Sequence, residues 1–437
     1  MGVLRISGSG SLDILRRVFS SSMKAQAYES NRMYHGRVVS PPDGKQIDEI
    51  LACHMKSPNS YTGEDVVELY CHGGAMVLGG VLGLVIESGA RLAERGEFTK
   101  RAFLNGKIDL IEAEAVLDLI LAKTPVAAQS AAAQLAGRLS VKIRKLRSLL
   151  LELLAEVEAA LDFPEDVEEL EAGTLSERIG PIIGEVDALL RTAEAGRLLR
   201  EGVRMAIVGK PNVGKSSLLN ALLGVNRAIV TSLPGTTRDT IEEVVNINGL
   251  PIVVIDTAGI RHPKDQVEEF GVERARKEIR QSDIVLVVLD ASAPLTDEDK
   301  AVLDETKEAA VVLALNKVDL GIRMRLNGYG GQGLSFGISA LHGTGIEDLK
   351  AGLFRFVLRG GDLGGVDSGA VNARHKECLF RAKESLQGAV RACEERKSSD
   401  LISLDLRGAV VALGELDGLE VSEEVISAIF DRFCVGK

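Results

Sequence analysis

The sequence lacks any long apolar run: its 437 residues nowhere approach the roughly 18 uninterrupted apolar positions of a membrane span. The beginning of the chain also lacks the basic, apolar and small-residue succession of a secretory signal. Together these features point to a cytoplasmic protein with no membrane partner. Cysteine is scarce, with five scattered residues and no CxxC spacing, which excludes a disulfide framework and a zinc ribbon. The dipeptides Cys53-His54 and Cys71-His72 fall in alternating stretches that read as strands, where neighbouring side chains point to opposite faces, so a structural role is favoured over metal ligation. Positive charge is short as well. The 52 Lys and Arg against 63 Asp and Glu leave a net charge of −11. That argues against a grip on nucleic acid by bulk electrostatics, though not against a local patch. The densest basic cluster, Arg138, Lys142, Arg144, Lys145 and Arg147, lies on a helix-like stretch and reads as a solvated face.

What is present is ordinary for a folded protein of two or three domains: 45% hydrophobic and 26% charged residues. Residues 1–105 mix short β-branched stretches with Pro/Gly/Asn/Ser loops and one apolar helix near 76–88, an α/β pattern. Residues 106–200 turn to Ala/Leu/Glu-rich helical spacing, interrupted at Pro164. Residues 201–360 alternate apolar strands with helices, which predicts a parallel sheet with helices on both faces. A Gly-rich stretch at 360–369 reads as a linker, and 361–437 is helical again. The simplest architecture packs the two helical stretches together, with the middle domain inserted between them.

The strongest local signal is GKPNVGKS, Gly209 to Ser216, after the strand MAIV and before the helix SLLNALL. Glycines let backbone N–H groups converge on a β-phosphate with no Cβ in the way, and the helix N-terminus adds its dipole. Asn212, Val213, Gly214, Lys215, Ser216 and Ser217 are the expected phosphate contacts. Lys215 is expected to act catalytically on the β- and γ-phosphates, and the Ser216 hydroxyl to bind Mg²⁺. Downstream, DTAG (Asp256, Thr257, Ala258, Gly259) ends an apolar strand, with Asp256 placed for the Mg²⁺ shell and the Gly259 N–H for the γ-phosphate. Between them a polar loop carries Thr231, Ser232, Leu233, Pro234, Gly235, Thr236 and Thr237. Thr237 is the candidate second hydroxyl on Mg²⁺, the order–disorder device of a switch loop.

Base choice is read from NKVD, Asn316 to Asp319. An acceptor-only carboxylate at Asp319 pairs with the N1–H and N2–H donors of guanine, which adenine lacks. Asn316 is expected to bond the base edge and the Lys317 stem to cover its face. Ser339, Ala340 and Leu341 fit the last loop, with a backbone N–H to the guanine oxygen. GTP is thus the expected substrate. The residue after DTAG is Ile260, which cannot orient a water, so another group must place the nucleophile and another positive charge must meet the phosphoryl oxygens.

With GKPNVGKSSLLNALL and GTTRDTIEE, the stretches PNSYTGEDVVEL (58–69), GEFTKRAFLNGKIDLIEAEAVLDLI (96–120) and IFDRFCVGK at the C-terminus closely resemble the MnmE (TrmE) family of tRNA-modification GTPases over nearly the full length. The resemblance implies three parts: an N-terminal α/β domain that dimerises and binds 5-formyl- or 5,10-methylene-tetrahydrofolate, a discontinuous helical domain, and a Ras-like P-loop GTPase domain inserted in it. It implies a homodimer that joins an FAD- and NADH-using MnmG (GidA) type partner in a heterotetramer. The pair adds an aminomethyl or carboxymethylaminomethyl group at carbon 5 of the wobble uridine of certain tRNAs.

Family roles carry over by position. K⁺ takes the place of an arginine finger, held by Asn212, Thr231, Leu233 and Thr236, and joins two G domains face to face. Glu268 matches the glutamate that positions the hydrolytic water through a second water, with Glu269 as its rival. Arg5, Glu68, Lys107 and Lys437 match the folate positions, and Cys434 matches the cysteine near the one-carbon site, by covalent chemistry or by shaping the pocket. Val435 stands at an Ile position, a small change in volume. Family members carry some further residues before the strand that opens this chain, so the resemblance implies an N-terminal sheet short of an edge, most simply by a mis-set start. The alternative function is a regulatory or ribosome-associated GTPase switch without one-carbon chemistry, whose expected mark is an appended basic RNA-binding module; the sequence has acidic α/β and helical segments instead.

Overall fold

A computed structural model describes residues 1–21, 28–40, 44–167, 171–224, 243–255, 279–326, 334–359 and 370–436. The chain divides into two units, one of Met1–Leu117, Ser140–Ser148 and Val411–Lys437, the other of Asp118–Leu139 and Leu149–Val410.

In the first unit, period-two alternation builds an antiparallel sheet. Its strands are β1 (Gly2–Ser7), β2 (Phe19–Ser21), β3 (Arg32–Val39), β4 (Gln46–Met55) and β5 (Val66–Cys71), in the order β1-β5-β4-β3-β2. Helices α1 (Ser11–Val18) and α2 (Ala75–Glu87) cover one face, where Leu15, Val18, Val81 and Val85 meet Ile6, Val38, Ile50 and Leu69. Alternation sends Arg5, Glu68 and Cys53 to the opposite face. Strand register sets them in one row, Arg5 opposite Glu68 and Glu68 opposite Cys53. The expected Cys-His strands are therefore strands, with Cys53 and His54 inside β4 and Cys71 closing β5. Near the C-terminus, Phe430 and Phe433 are buried beside Phe103, with ring centroids 5.4 Å apart for Phe430–Phe433 and 6.4 Å for Phe103–Phe430. This aromatic cluster seats the tail, so that Arg95 bridges Val435 and the Gly96 N–H donates to Cys434 O at 3.4 Å.

The second unit holds a six-stranded sheet of β6 (Val203–Val208), β7 (Glu243–Ile247), β8 (Leu250–Val254), β9 (Ile284–Asp290), β10 (Val311–Asn316) and β11 (Leu334–Gly337), in the order β11-β10-β9-β6-β8-β7. The central strands are apolar throughout because both faces are covered. On one face Met205, Ile207, Leu286 and Val288 pack against Leu218, Leu219 and Leu222 of the helix Lys215–Leu223 and Leu349 and Leu353 of the helix Ile346–Val357. On the other, Ala206, Val208, Val285 and Val287 pack near Leu303 of the helix Asp297–Glu305. The expected parallel sheet with helices on both faces is present, with one antiparallel edge. There β7 runs antiparallel to β8, joined by the two-residue turn Asn248-Gly249, both at positive φ (53° and 92°). Helices Ala172–Glu201 and Ala373–Glu394 pack along each other in this unit, tied by Lys383 Nζ to Asp187 Oδ1 at 2.7 Å.

Candidate active site

The phosphate loop follows β6 and ends in the helix Lys215–Leu223. Gly214 sits at φ 101°, and a Cβ there would lie 2.2 Å from Asn316 Nδ2, so only glycine permits this approach. Asn212 also takes a left-handed conformation (φ 64°), Val213 is buried, and Ser216 and Ser217 are exposed at the first turn of the helix. Lys215 Nζ donates to Gly209 O at 2.6 Å and Lys210 O at 2.8 Å, so its ammonium is held by the loop itself. Burial pushes it below the usual lysine value. A cation in a glycine-bearing loop beside a helix N-terminus suits a polyphosphate.

The base loop is joined to the phosphate loop by one side chain. Asn316, buried at the end of β10, donates from Nδ2 to Val213 O at 2.8 Å and accepts at Oδ1 from the Ala340 N–H at 2.9 Å. Any contact of Asn316 with a base edge must share an amide already engaged by two loops. Asp319 is held below the usual carboxylate range by a hydrogen bond from Ser339, so at neutral pH it remains the acceptor that guanine requires. Ser339 and Ala340 are buried next to it and Leu341 is exposed. Lys317, at φ 64°, donates from Nζ to Asp290 Oδ2 at 2.6 Å.

Sequence reasoning passed over Asp290, and also Asp299 with Thr296, which bind the second residue of the phosphate loop: Lys210 Nζ lies 2.8 Å from Asp299 Oδ2 and 3.0 Å from Thr296 Oγ1. An acidic residue after an apolar strand, or inside a run such as TDED, carries no spacing that marks it.

Ser216 lies at the helix start, its hydroxyl a hard oxygen donor of the kind Mg²⁺ takes. Asn212, expected to contact K⁺, lies in the same loop. Several expected contacts lie outside the described residues: Thr231, Ser232, Leu233, Pro234, Gly235, Thr236, Thr237, Asp256, Thr257, Ala258, Gly259, Glu268 and Lys437.

In the first unit the row on the open sheet face is a network. Arg5 Nε and Nη2 reach Glu68 Oε1 at 2.8 and 2.7 Å, and Tyr70 Oη donates to Glu68 Oε2. That bond pushes the Tyr70 hydroxyl up to about 12. The Arg5 guanidinium also faces the rings of Tyr61 (5.5 Å) and Phe98 (5.6 Å). Lys107 is engaged elsewhere, donating to Pro58 O at 3.1 Å within the loop that carries Tyr61. A cavity of about 530 Å³ runs beside β1, walled by Arg5, Phe98, Val435 and Gly436 among others; Glu68, Lys107 and Cys434 are not on its wall. Tyr61, Tyr70 and Phe98 were not singled out from sequence.

Comparison with known proteins agrees across the chain. The family model described as MnmE helical domain matches residues 110–434, and that described as GTP-binding protein TrmE N-terminus matches residues 1–107. The chain is similar to the tRNA modification GTPase MnmE of Thermoanaerobacter pseudethanolicus, 45% identical over 100% of this chain and 96% of the relative. It is also similar to that of Clostridioides difficile, 44% identical over 100% and 96%. Among solved structures, the G domain of the T. maritima FeoB iron transporter is 25% identical, covers 35% of this chain and 98% of its own, and has a TM-score of 0.27, too low to carry weight.

Proposed function

The chain belongs to the MnmE family of tRNA-modification GTPases, and from that premise we propose how its parts divide the work. The family hydrolyses GTP and uses Mg²⁺. In this chain the second unit supplies that chemistry, and the single observation that best supports the assignment is Asn316, whose amide binds the phosphate loop at Val213 and the base loop at Ala340. The backbone amides of 212–216 receive the β-phosphate, Lys215 neutralises the β- and γ-oxygens, Ser216 contributes a metal-ligating hydroxyl, and Asp319 selects guanine. Mg²⁺ supplies charge neutralisation when bound. Thr237 and Asp256 would complete the set of magnesium-holding residues, Glu268 would orient the water, and Asn212, Thr231, Leu233 and Thr236 would hold K⁺, which would supply the positive charge of an arginine finger.

We assign residues 1–105 to a folate-binding and dimerisation domain, 106–200 with 361–437 to the helical domain, and 201–360 to the G domain. Arg5, Glu68, Lys107 and Lys437 recognise a tetrahydrofolate carrying the one-carbon unit, with Cys434 beside it. The paired Arg5–Glu68 charges support this, since a carboxylate reads the donors of a pterin edge and cations meet a glutamate tail. A homodimer working with a flavoprotein of MnmG type in the cytoplasm then modifies carbon 5 of the wobble uridine. The test is nucleoside mass spectrometry of tRNA from cells lacking this protein. Loss of the aminomethyl-type wobble uridines supports the reading; an unchanged profile overturns it and leaves a regulatory switch.

A further inference from the structure

The phosphate loop and the base loop are far apart in sequence, yet each has a lysine bound to the same short segment, residues 290–299. Lys317 of the base loop meets Asp290, whose other oxygen accepts from the N–H (3.0 Å) and hydroxyl (2.6 Å) of Ser292. Lys210 of the phosphate loop meets Asp299, which is fully buried and fixed by a reciprocal cap with Thr296 at the start of the helix Asp297–Glu305. Neither lysine is free to wander, and each belongs to a loop assigned to the nucleotide site. The Lys210 carbonyl accepts from Lys215 Nζ, while the Lys317 stem is the group expected to cover the base. Asp299 Oδ1 has no hydrogen-bond partner among the described residues, so the ion pair with Lys210 and the two Thr296 hydrogen bonds, all at Oδ2, compensate for burying this charge.

We infer that Asp290 and Asp299 are positioning residues of the GTP site, and that segment 290–299 is a brace setting the distance between the phosphate and guanine subsites. Asp299 acts on Lys215 through the Lys210 backbone, and so on the β- and γ-phosphates. Asp290 acts on the Lys317 stem, and so on the base. The two carboxylates therefore influence different parts of one ligand.

This inference rests on the GTPase assignment, and the same titrations separate the two. Affinities of the full chain for GTP, GDP and guanosine are measured by competition against a fluorescent guanine nucleotide. If the unaltered protein binds none of them, the GTPase reading itself fails. Given normal binding, Asp299→Asn should weaken GTP and GDP about tenfold and leave guanosine unchanged. Asp290→Asn should weaken all three by a similar factor of about five. Because Asp299 also caps a helix, Lys210→Met provides the same test from the loop side with the cap intact. It should reproduce the Asp299→Asn pattern, the double variant should be no worse than either single one, and Lys210→Arg should restore affinity. A loss spread equally over GTP, GDP and guanosine in Lys210→Met, additive losses in the double variant, or no loss at all would each overturn the brace.

Discussion

Asn316 shows how one side chain can do two jobs that a motif credits only in part. Its amide stitches two loops, and truncation would leave Val213 O and the Ala340 N–H unpaired in the interior. Asn316→Ala should cost roughly 1–3 kcal/mol of stability and at least tenfold in GTP affinity, read by denaturant titration and nucleotide competition. Glu268→Ala should slow hydrolysis strongly with GTP affinity nearly intact; a parallel loss of affinity would make its role structural. Asp417 offers a separate, pH-dependent prediction. It is buried, its carboxyl oxygens have no hydrogen-bond partner among the described residues, and burial, with Asp109 nearby, raises it from 3.8 to about 6 against the opposing pull of Arg144 and Arg147. Its folded value exceeds its unfolded one, so the stability it supports is full below pH 3.8 and is lost as pH rises through 6. Asp417→Asn should therefore raise Tm near neutral pH, by at most roughly 3 kcal/mol of added stability, with the gain shrinking toward pH 5 and below. A constant gain across that range would show that ionisation is not its source.

The helices and strands were mostly legible because their cause is local. Continuous apolar stretches foretold β6, β8, β9 and β10, and the glycines of GKPNVGKS foretold a loop that a Cβ at Gly214 would close. The β7–β8 hairpin was missed although Asn248-Gly249 between apolar residues is a strong hairpin signal, because the surrounding strand–helix rhythm favoured a parallel reading. Asp290, Asp299 and Tyr70 were illegible for a different reason. They act through space on residues remote in the chain, and such pairings leave no periodicity. The C-terminal stretch was recognisable from its resemblance, but only the structure gives its anchor, the buried Phe433 against Phe430. Phe433→Ala should destabilise the first unit by about 3–5 kcal/mol. It should also quicken labelling of the half-buried Cys434 by a thiol reagent; an unchanged labelling rate would detach Cys434 from that anchor.

For the assembled protein the decisive measurements concern ions and ligands. GTP turnover should be high in KCl and low in NaCl, with G-domain association in the same order, since a monovalent cation is assigned the charge that an arginine would otherwise carry. Equal rates would remove that mechanism. Titration with 5-formyltetrahydrofolate should release heat that Glu68→Gln abolishes, because Glu68, paired with Arg5, is among the residues proposed to recognise it. The net charge of −11 argues against a bulk electrostatic grip on nucleic acid but not against a local basic patch. One further consequence follows from the sheet of the second unit. In β9, six successive residues from Ile284 to Leu289 are buried, so the strand has no solvent side on which variation is harmless. A library randomised along it should return almost no folded members, whereas diversity at exposed loop positions that make no buried contact should be tolerated. Evolvability in this unit is thus concentrated outside its central strand.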